Sequence, residues 1–236
     1  MAIIPRQDAL EDYRREEGIS LEDSVEFATN PEPRCACVLL LDTSASMGGR
    51  PITALNEGLR AFADDIGTDT LASRRVEVAV VTFGQGGAQT VQGFLGAGQF
   101  VAPTLTAGGS TPMGEAITKS LEMVENRKRD YRSNGVAYYR PWVFLITDGE
   151  PTDAWDEAAR TVAEIEEANG VAFFAVGVQG ANMEILKQIS VRDPLKLDGL
   201  KFTELFVWLS QSQKRVSASR VGEQAALPPV SGWTAV

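Results

Sequence analysis

The chain has 236 residues, with 22 lysines and arginines against 32 aspartates and glutamates, no histidine, and a formal charge of −10. That balance argues against nonspecific binding to nucleic acid or acidic membranes, and without histidine no Ser-His or Cys-His dyad can form. The 44% hydrophobic content suits a globular protein. No apolar run approaches the roughly 20 residues of a membrane helix, and no basic-then-apolar leader opens the chain, so a cytoplasmic protein is expected.

Residues 1–33 read as an acidic extension, with nine carboxylates against Arg6, Arg14 and Arg15. A solvated arm is one reading. The other is docking, on its own domain or on a neighbouring copy, through Leu10, Tyr13, Ile19, Leu21, Val25 and Phe27. A single α/β domain is expected over 34–216 and a loosely held tail after it, over 217–236. Strand 1 covers about 34–41, and the helix at about 51–66 carries Ile52, Leu55, Leu59, Phe62 and Ile66 on one stripe. A second strand follows at 76–83, then a glycine-rich hairpin leading to a weaker edge strand at 90–94. The helix over 111–129 turns Met113, Ile117, Leu121 and Val124 inward. The basic run Arg127-Lys128-Arg129, with Arg132, reads as a solvated helix end complementing the dipole. A strand at 142–147, a helix at 156–169 and a strand at 171–178 continue the alternation. A short helix at 183–189, a short strand near Leu195 and a last helix at 201–213 complete it. This order predicts a Rossmann-like, doubly wound, mostly parallel sheet with one antiparallel edge strand and helices on both faces. Phe173, Phe174, Phe206 and Trp208 read as packing residues. Cys35 and Cys37, two apart on one strand, read as small buried hydrophobes rather than a disulfide.

Three loops carry the chemistry. Asp42-Thr43-Ser44-Ala45-Ser46 follows the apolar run 35–41, so a buried parallel strand delivers one carboxylate and two hydroxyls to its C-terminal edge. If residues 43–49 form a tight loop, with Gly48 and Gly49 permitting unusual backbone angles, Ser44 and Ser46 turn toward one point with Asp42 behind them. Such ligands suit Mg2+ or another hard divalent ion such as Mn2+ or Ca2+. The alternative is a Ser/Thr turn capping the next helix. The segment 108–117 places Thr111 at a loop-helix junction, where Ser110 or Thr111 would also serve as an N-cap. The run Trp142 to Glu150 repeats strand-then-aspartate at Asp148, which an ordinary Asp-Gly turn would equally explain. Together the loops bring two carboxylates and three hydroxyls to the edge where open α/β sheets bind ligands.

On Asp42, Ser44 and Ser46, then Thr111, then Asp148, the chain resembles the von Willebrand factor type A domain and its metal-ion-dependent adhesion site. The resemblance implies that the serines and threonine approach the metal directly or through water and that the aspartates often act through water. It also implies a remaining coordination position that takes a Glu or Asp from a partner protein. Docked on a neighbouring copy, residues 1–33 could place one of their carboxylates in that position and compete with the partner. Within the family, Val38 to Ser44, Phe144 to Asp153 and Phe202 to Ser210 resemble TerY-like bacterial proteins of tellurite-resistance and stress-response clusters. That narrower likeness implies kinase and phosphatase partners.

Two other functions fit parts of the pattern. A subunit of an AAA ATPase or chelatase-like assembly would use the same metal site on a different partner. A Mg2+-dependent phosphatase would use Asp42 as nucleophile, but the second aspartate that haloacid-dehalogenase-like enzymes carry two residues later is Ser44 here, which cannot supply acid-base chemistry. No phosphate-binding Gly-x-x-x-x-Gly-Lys-Ser/Thr pattern is present. The expectation is therefore a non-catalytic, metal-dependent interaction domain.

Overall fold

The computed structural model describes residues 27–235, Ala28 excepted. Chain order is β1 (Cys35–Thr43), a 3-10 turn (Ala45–Met47), α1 (Arg50–Thr68), α2 (Ala72–Arg75), β2 (Val76–Gly84), β3 (Gly87–Gly96) and α3 (Met113–Ser133). Then come β4 (Trp142–Thr147), α4 (Asp156–Glu167), β5 (Ala172–Gly177), α5 (Met183–Ile189), β6 (Leu195–Lys196) and α6 (Phe202–Ala218). The six strands lie in the order β3-β2-β1-β4-β5-β6, and only β3 runs antiparallel. This is the doubly wound architecture the alternation predicts.

All nine residues of β1 are buried, because parallel neighbours flank it and helices cover both faces. Alternate side chains divide between two cores. Leu39 and Leu41 join Leu55, Leu59, Phe62 and Phe206 beneath α1 and α6, while Val38 and Leu40 join Met113, Ile117, Leu121 and Val162 beneath α3 and α4. The register sets Leu41 opposite Ile146, which aligns the strand ends that carry Asp42 and Asp148. Cys35 and Cys37 are free and fully buried in the first core, and burial pushes the Cys37 thiol up to about 12. No helix among the described residues is long and apolar enough to cross a membrane.

Three expectations are corrected. First, α3 runs on to Ser133, so the basic run lies inside the helix rather than at its end. Arg127 and Lys128 are buried, not solvated. Arg127 Nε meets Glu77 Oε2 at 2.8 Å, Arg34 Nε meets Glu77 Oε1 at 2.9 Å, and the Tyr131 hydroxyl donates to the same carboxylate. Second, the tail is held: Trp233 is buried against Trp208 with ring centroids 5.3 Å apart, and the Trp208 indole donates to Pro228 O at 2.8 Å. Third, Gly49 has φ 78°, as expected of the loop, but Gly48 is extended at φ −60°, a conformation open to any residue.

Phe27 is buried beneath two cations, with the Arg127 and Arg34 guanidinium carbons 4.8 and 5.4 Å from its ring centroid. Its edge also meets the Tyr131 ring at 5.7 Å. The end of the acidic extension therefore docks on its own domain; Leu10, Tyr13, Ile19, Leu21 and Val25 lie outside the described residues.

Because Glu77 is 1% exposed and is shared by two guanidiniums, Glu77→Gln removes the buried negative charge that both of them face. Urea denaturation should show a loss of about 3–5 kcal/mol. A loss under about 1 kcal/mol would mean that water reaches the cluster.

Candidate metal centre

Asp42 is fully buried at the end of β1, and its carboxylate is fixed from two sides. Oδ1 accepts the Ser44 N–H at 2.8 Å, and Oδ2 accepts the Thr147 hydroxyl at 2.5 Å. The 3-10 turn then brings the Ser44 and Ser46 hydroxyls within 3.0 Å of each other, and Ser46 Oγ donates to Asp148 Oδ1 at 2.7 Å. Both serines and both aspartates of the sequence pattern thus form one hydrogen-bonded cluster across the ends of β1 and β4.

Thr111 arrives from the long loop after β3. That loop is laced onto the first by Ala45 N–H donating to Gly109 O at 3.1 Å and Gly108 N–H donating to Thr43 O at 2.8 Å. Gly109 has φ 78°, and a Cβ there would stand 2.5 Å from the Gln85 backbone nitrogen, so only glycine lets the loop pass. On its other side, Thr111 N–H donates to Thr152 Oγ1 at 3.0 Å and Thr152 N–H donates to Thr111 O at 2.9 Å. The Gly149 backbone lies between the inward oxygens: a Cβ built there would be 3.3 Å from Thr111 Oγ1 and 3.6 Å from Asp42 Oδ2.

The N-cap alternative for Ser110 and Thr111 is not what forms. Helix α3 begins at Met113, with Pro112 ahead of it and no capping side chain at that position. Its leading N–H groups, Gly114 and Glu115, donate instead to the Asp153 carboxylate at 3.1 and 2.8 Å. Asp153 thereby relieves Thr111 of capping. The Thr111 hydroxyl, on a residue 6% exposed, has no hydrogen-bond partner among the described residues.

All five sequence-derived residues, Asp42, Ser44, Ser46, Thr111 and Asp148, therefore meet at the C-terminal edge of the sheet. Three further residues escape the sequence reading: Thr147, which orients Asp42, and Thr152 and Asp153, which hold the Thr111 loop. Their signal lies in the segment Ile146-Thr147-Asp148-Gly149-Glu150-Pro151-Thr152-Asp153, dense in hydroxyls and carboxylates directly after a buried strand.

The donor set fits a hard divalent cation. It combines two carboxylates with three hydroxyls, offers no soft ligand, and leaves one hydroxyl, that of Thr111, unused. Among the described residues no group of three or more His, Cys, Asp or Glu side chains is arranged to hold a metal. The candidate centre is thus poor in carboxylates and rich in hydroxyls.

The family model for the von Willebrand factor type A domain matches residues 37–196. The chain belongs to that family. No curated protein matches it significantly. Solved structures with the same fold include proximal thread matrix protein 1 from the mussel byssus, at 19% identity and TM-score 0.53, covering 78% of this chain and 49% of that one. The pilus adhesin SpaC from Lactobacillus rhamnosus GG, at 16% identity and TM-score 0.59, covers 80% of this chain and 31% of its own. The manganese-loaded TRAP protein of Plasmodium vivax is 22% identical with TM-score 0.53, covering 73% of this chain and 71% of that one. This von Willebrand factor type A chain thus spans about half the length of the mussel protein and a third of the adhesin.

Burial holds the Asp42 carboxyl above its ordinary range; hydrogen bonds from Ser44 and Thr147 offset part of that rise, and the Asp148 charge adds to it. A carboxyl raised on folding favours the folded state while protonated, and this contribution is lost as pH climbs through the folded-state value. In metal-free protein, the stability of Asp42→Asn relative to native should therefore rise as pH increases from the acid range to neutrality. Melting temperatures followed over that range test this, at about 2–4 °C per kcal/mol for a chain of this size. A pH-independent difference would show that Asp42 titrates alike in both states.

Proposed function

We propose that this von Willebrand factor type A domain is a non-catalytic adaptor whose metal centre captures a carboxylate of a partner protein. The observation that carries the reading is the convergence of the Asp42, Ser44, Ser46 and Asp148 cluster with the unused Thr111 hydroxyl. Asp42, Ser44, Ser46, Thr111 and Asp148 would hold Mg2+, or another hard ion such as Mn2+ or Ca2+. The bound ion would supply a positive centre on the sheet edge that attracts an anionic ligand. The manganese in the TRAP structure supports a divalent ion in this family.

The chain's own residues do the rest. Thr147 and the Ser44 amide fix the Asp42 carboxylate, so its charge is placed before any ion arrives. The Gly108–Gly109 lacing and Thr152 fix the Thr111 loop. Two carboxylates against one dication leave the centre close to neutral, and a partner Glu or Asp then meets an ion that hydroxyls have not saturated. Serine at position 44 leaves Asp42 without the acid-base aspartate a phosphoaspartyl mechanism needs, which supports the absence of catalysis. The narrower assignment, a cytoplasmic TerY-like adaptor with kinase and phosphatase partners in a bacterial stress response, rests on the sequence resemblance alone.

Isothermal titration with Mg2+ and with Mn2+ should give one site per chain, at least about tenfold weaker in Asp42→Ala and in Thr111→Ala, as loss of a ligand costs 1.4 kcal/mol or more. Undiminished binding in both variants would remove the assignment. Affinity capture from a lysate should lose the same partners on chelation and in Thr111→Ala. Turnover of a phosphate ester by the Mg2+-loaded chain would favour the enzyme reading instead.

A further inference from the structure

Strand β3 is the long open edge of the sheet. It pairs with β2 alone among the described strands, carries no charged side chain over its ten residues, and leaves Val91 and Leu95 44% and 39% exposed. An edge of this kind templates another strand unless something covers it. The chain covers its beginning: Ala88 N–H donates to Glu115 Oε2 at 3.2 Å, and Ala88 O accepts from Lys119 Nζ at 2.9 Å. Beyond that point Gln89, Thr90, Val91, Gly93 and Leu95 are exposed, and the buried Gln92 Nε2 has no acceptor among the described residues. The described chain begins beside this edge. Phe27 is 4% exposed and shares the Arg127 guanidinium with Phe94 of β3, the guanidinium carbon lying 4.8 Å from one ring centroid and 5.8 Å from the other. Phe94 also packs against the cluster that Phe27 forms with Ala36, Tyr131 and Val136.

We propose that residues 19–26 cover this edge of their own domain, with Ile19, Leu21 and Val25 on Val91 and Leu95 and with Glu22, Asp23 and Glu26 turned outward. Phe94 and Leu95 point to opposite faces of the sheet, so a segment that leaves Phe27 beside Phe94 and reaches Leu95 crosses the open edge of β3. The length suffices in either conformation. Val91 lies about 10 Å along the strand from Phe94, and residues 19–26 span about 26 Å extended or about 12 Å as a helix. Ile19, Leu21 and Val25 are the large apolar residues that precede Phe27 most closely, and they match the exposed pair in kind. The carboxylates give the uncharged strand the acidic rim it lacks, and like charge then rejects a second copy at that edge. The acidic extension thereby guards the sheet edge, a role that goes beyond the metal reading and stands apart from it.

The test uses the full chain with one added thiol, Leu95→Cys. Cys35 and Cys37 are fully buried, and burial pushes both thiols up, so neither competes for label. Labelling by fluorescein maleimide should be about tenfold faster or more when Leu21→Ser and Val25→Ser are added. It should change less than about twofold with Leu10→Ser and Tyr13→Ser, which lie farther from Phe27. Without the added thiol, hydrogen exchange of the β3 amides should quicken in Leu21→Ser/Val25→Ser. That variant should also self-associate in sedimentation velocity where the native chain is monomeric, and adding Val91→Lys and Leu95→Lys should restore the monomer. Labelling and exchange equally fast in the native chain and in Leu21→Ser/Val25→Ser would overturn the proposal. So would a native dimer whose β3 amides are protected only at high concentration, the mark of a second copy in place of the extension. Chelator should leave these readouts unchanged, and failure of the metal reading would appear in the calorimetry alone.

Discussion

A carboxylate at the end of a strand buried on both faces is the constraint around which this domain is arranged. Removing such a group from water is costly unless hydrogen bonds replace the lost solvation. Asp42 receives them from the Ser44 amide and the Thr147 hydroxyl, one from the turn that follows its own strand and one from the neighbouring strand. Satisfying the anion therefore fixes the register of β1 against β4 at their tips, and it starts the 3-10 turn that aims Ser44 and Ser46. The remaining excess of negative charge beside Asp148 is what a dication would offset. Fold and site are two consequences of the same buried charge.

A second buried carboxylate, Glu77, does the corresponding work near the start of β2. It gathers Arg34, Arg127 and Tyr131 from the start of β1 and from α3, and Phe27 closes over the two guanidiniums. Here the charge is neutralised wholly by the chain itself. At one end of the sheet the buried carboxylate meets cations of its own chain and at the other it does not, which separates a structural anchor from a binding centre.

The alternation of apolar runs with amphipathic stripes made the sheet and both helical layers legible, because burial on two faces leaves strands uniformly apolar. The five site residues were legible because each directly follows a strand or precedes a helix in a short polar motif. What escaped was pairing at a distance. Arg127 and Lys128 look solvated in sequence because a cation's partner 50 residues away leaves no local mark; the warning was the lone Glu77 inside an otherwise apolar strand. The tail misled in a similar way. Its Pro and Gly content reads as loose, yet Trp233 finds Trp208 across the first core. Thr147, Thr152 and Asp153 were visible as polar residues, but their roles depend on which loop lies beside them, and only the tertiary arrangement supplies that.

The two edges of the sheet differ in how they would meet other chains. At one edge β6 is two residues long, and the tail covers it: Ala235 N–H donates to Lys196 O at 2.9 Å and Leu197 bridges Thr234. At the other edge β3 runs ten residues without a charged side chain, exposes Val91 and Leu95, and pairs with β2 alone among the described strands. Charge, brevity and cover are the devices that keep strand edges from templating one another. Among the described residues the protein covers β6, but at β3 it does so only around Ala88, whose N–H and C=O are taken by Glu115 and Lys119, so aggregation of a stressed or partly opened molecule would begin by strand addition along the rest of β3, on the flank farthest from the tail.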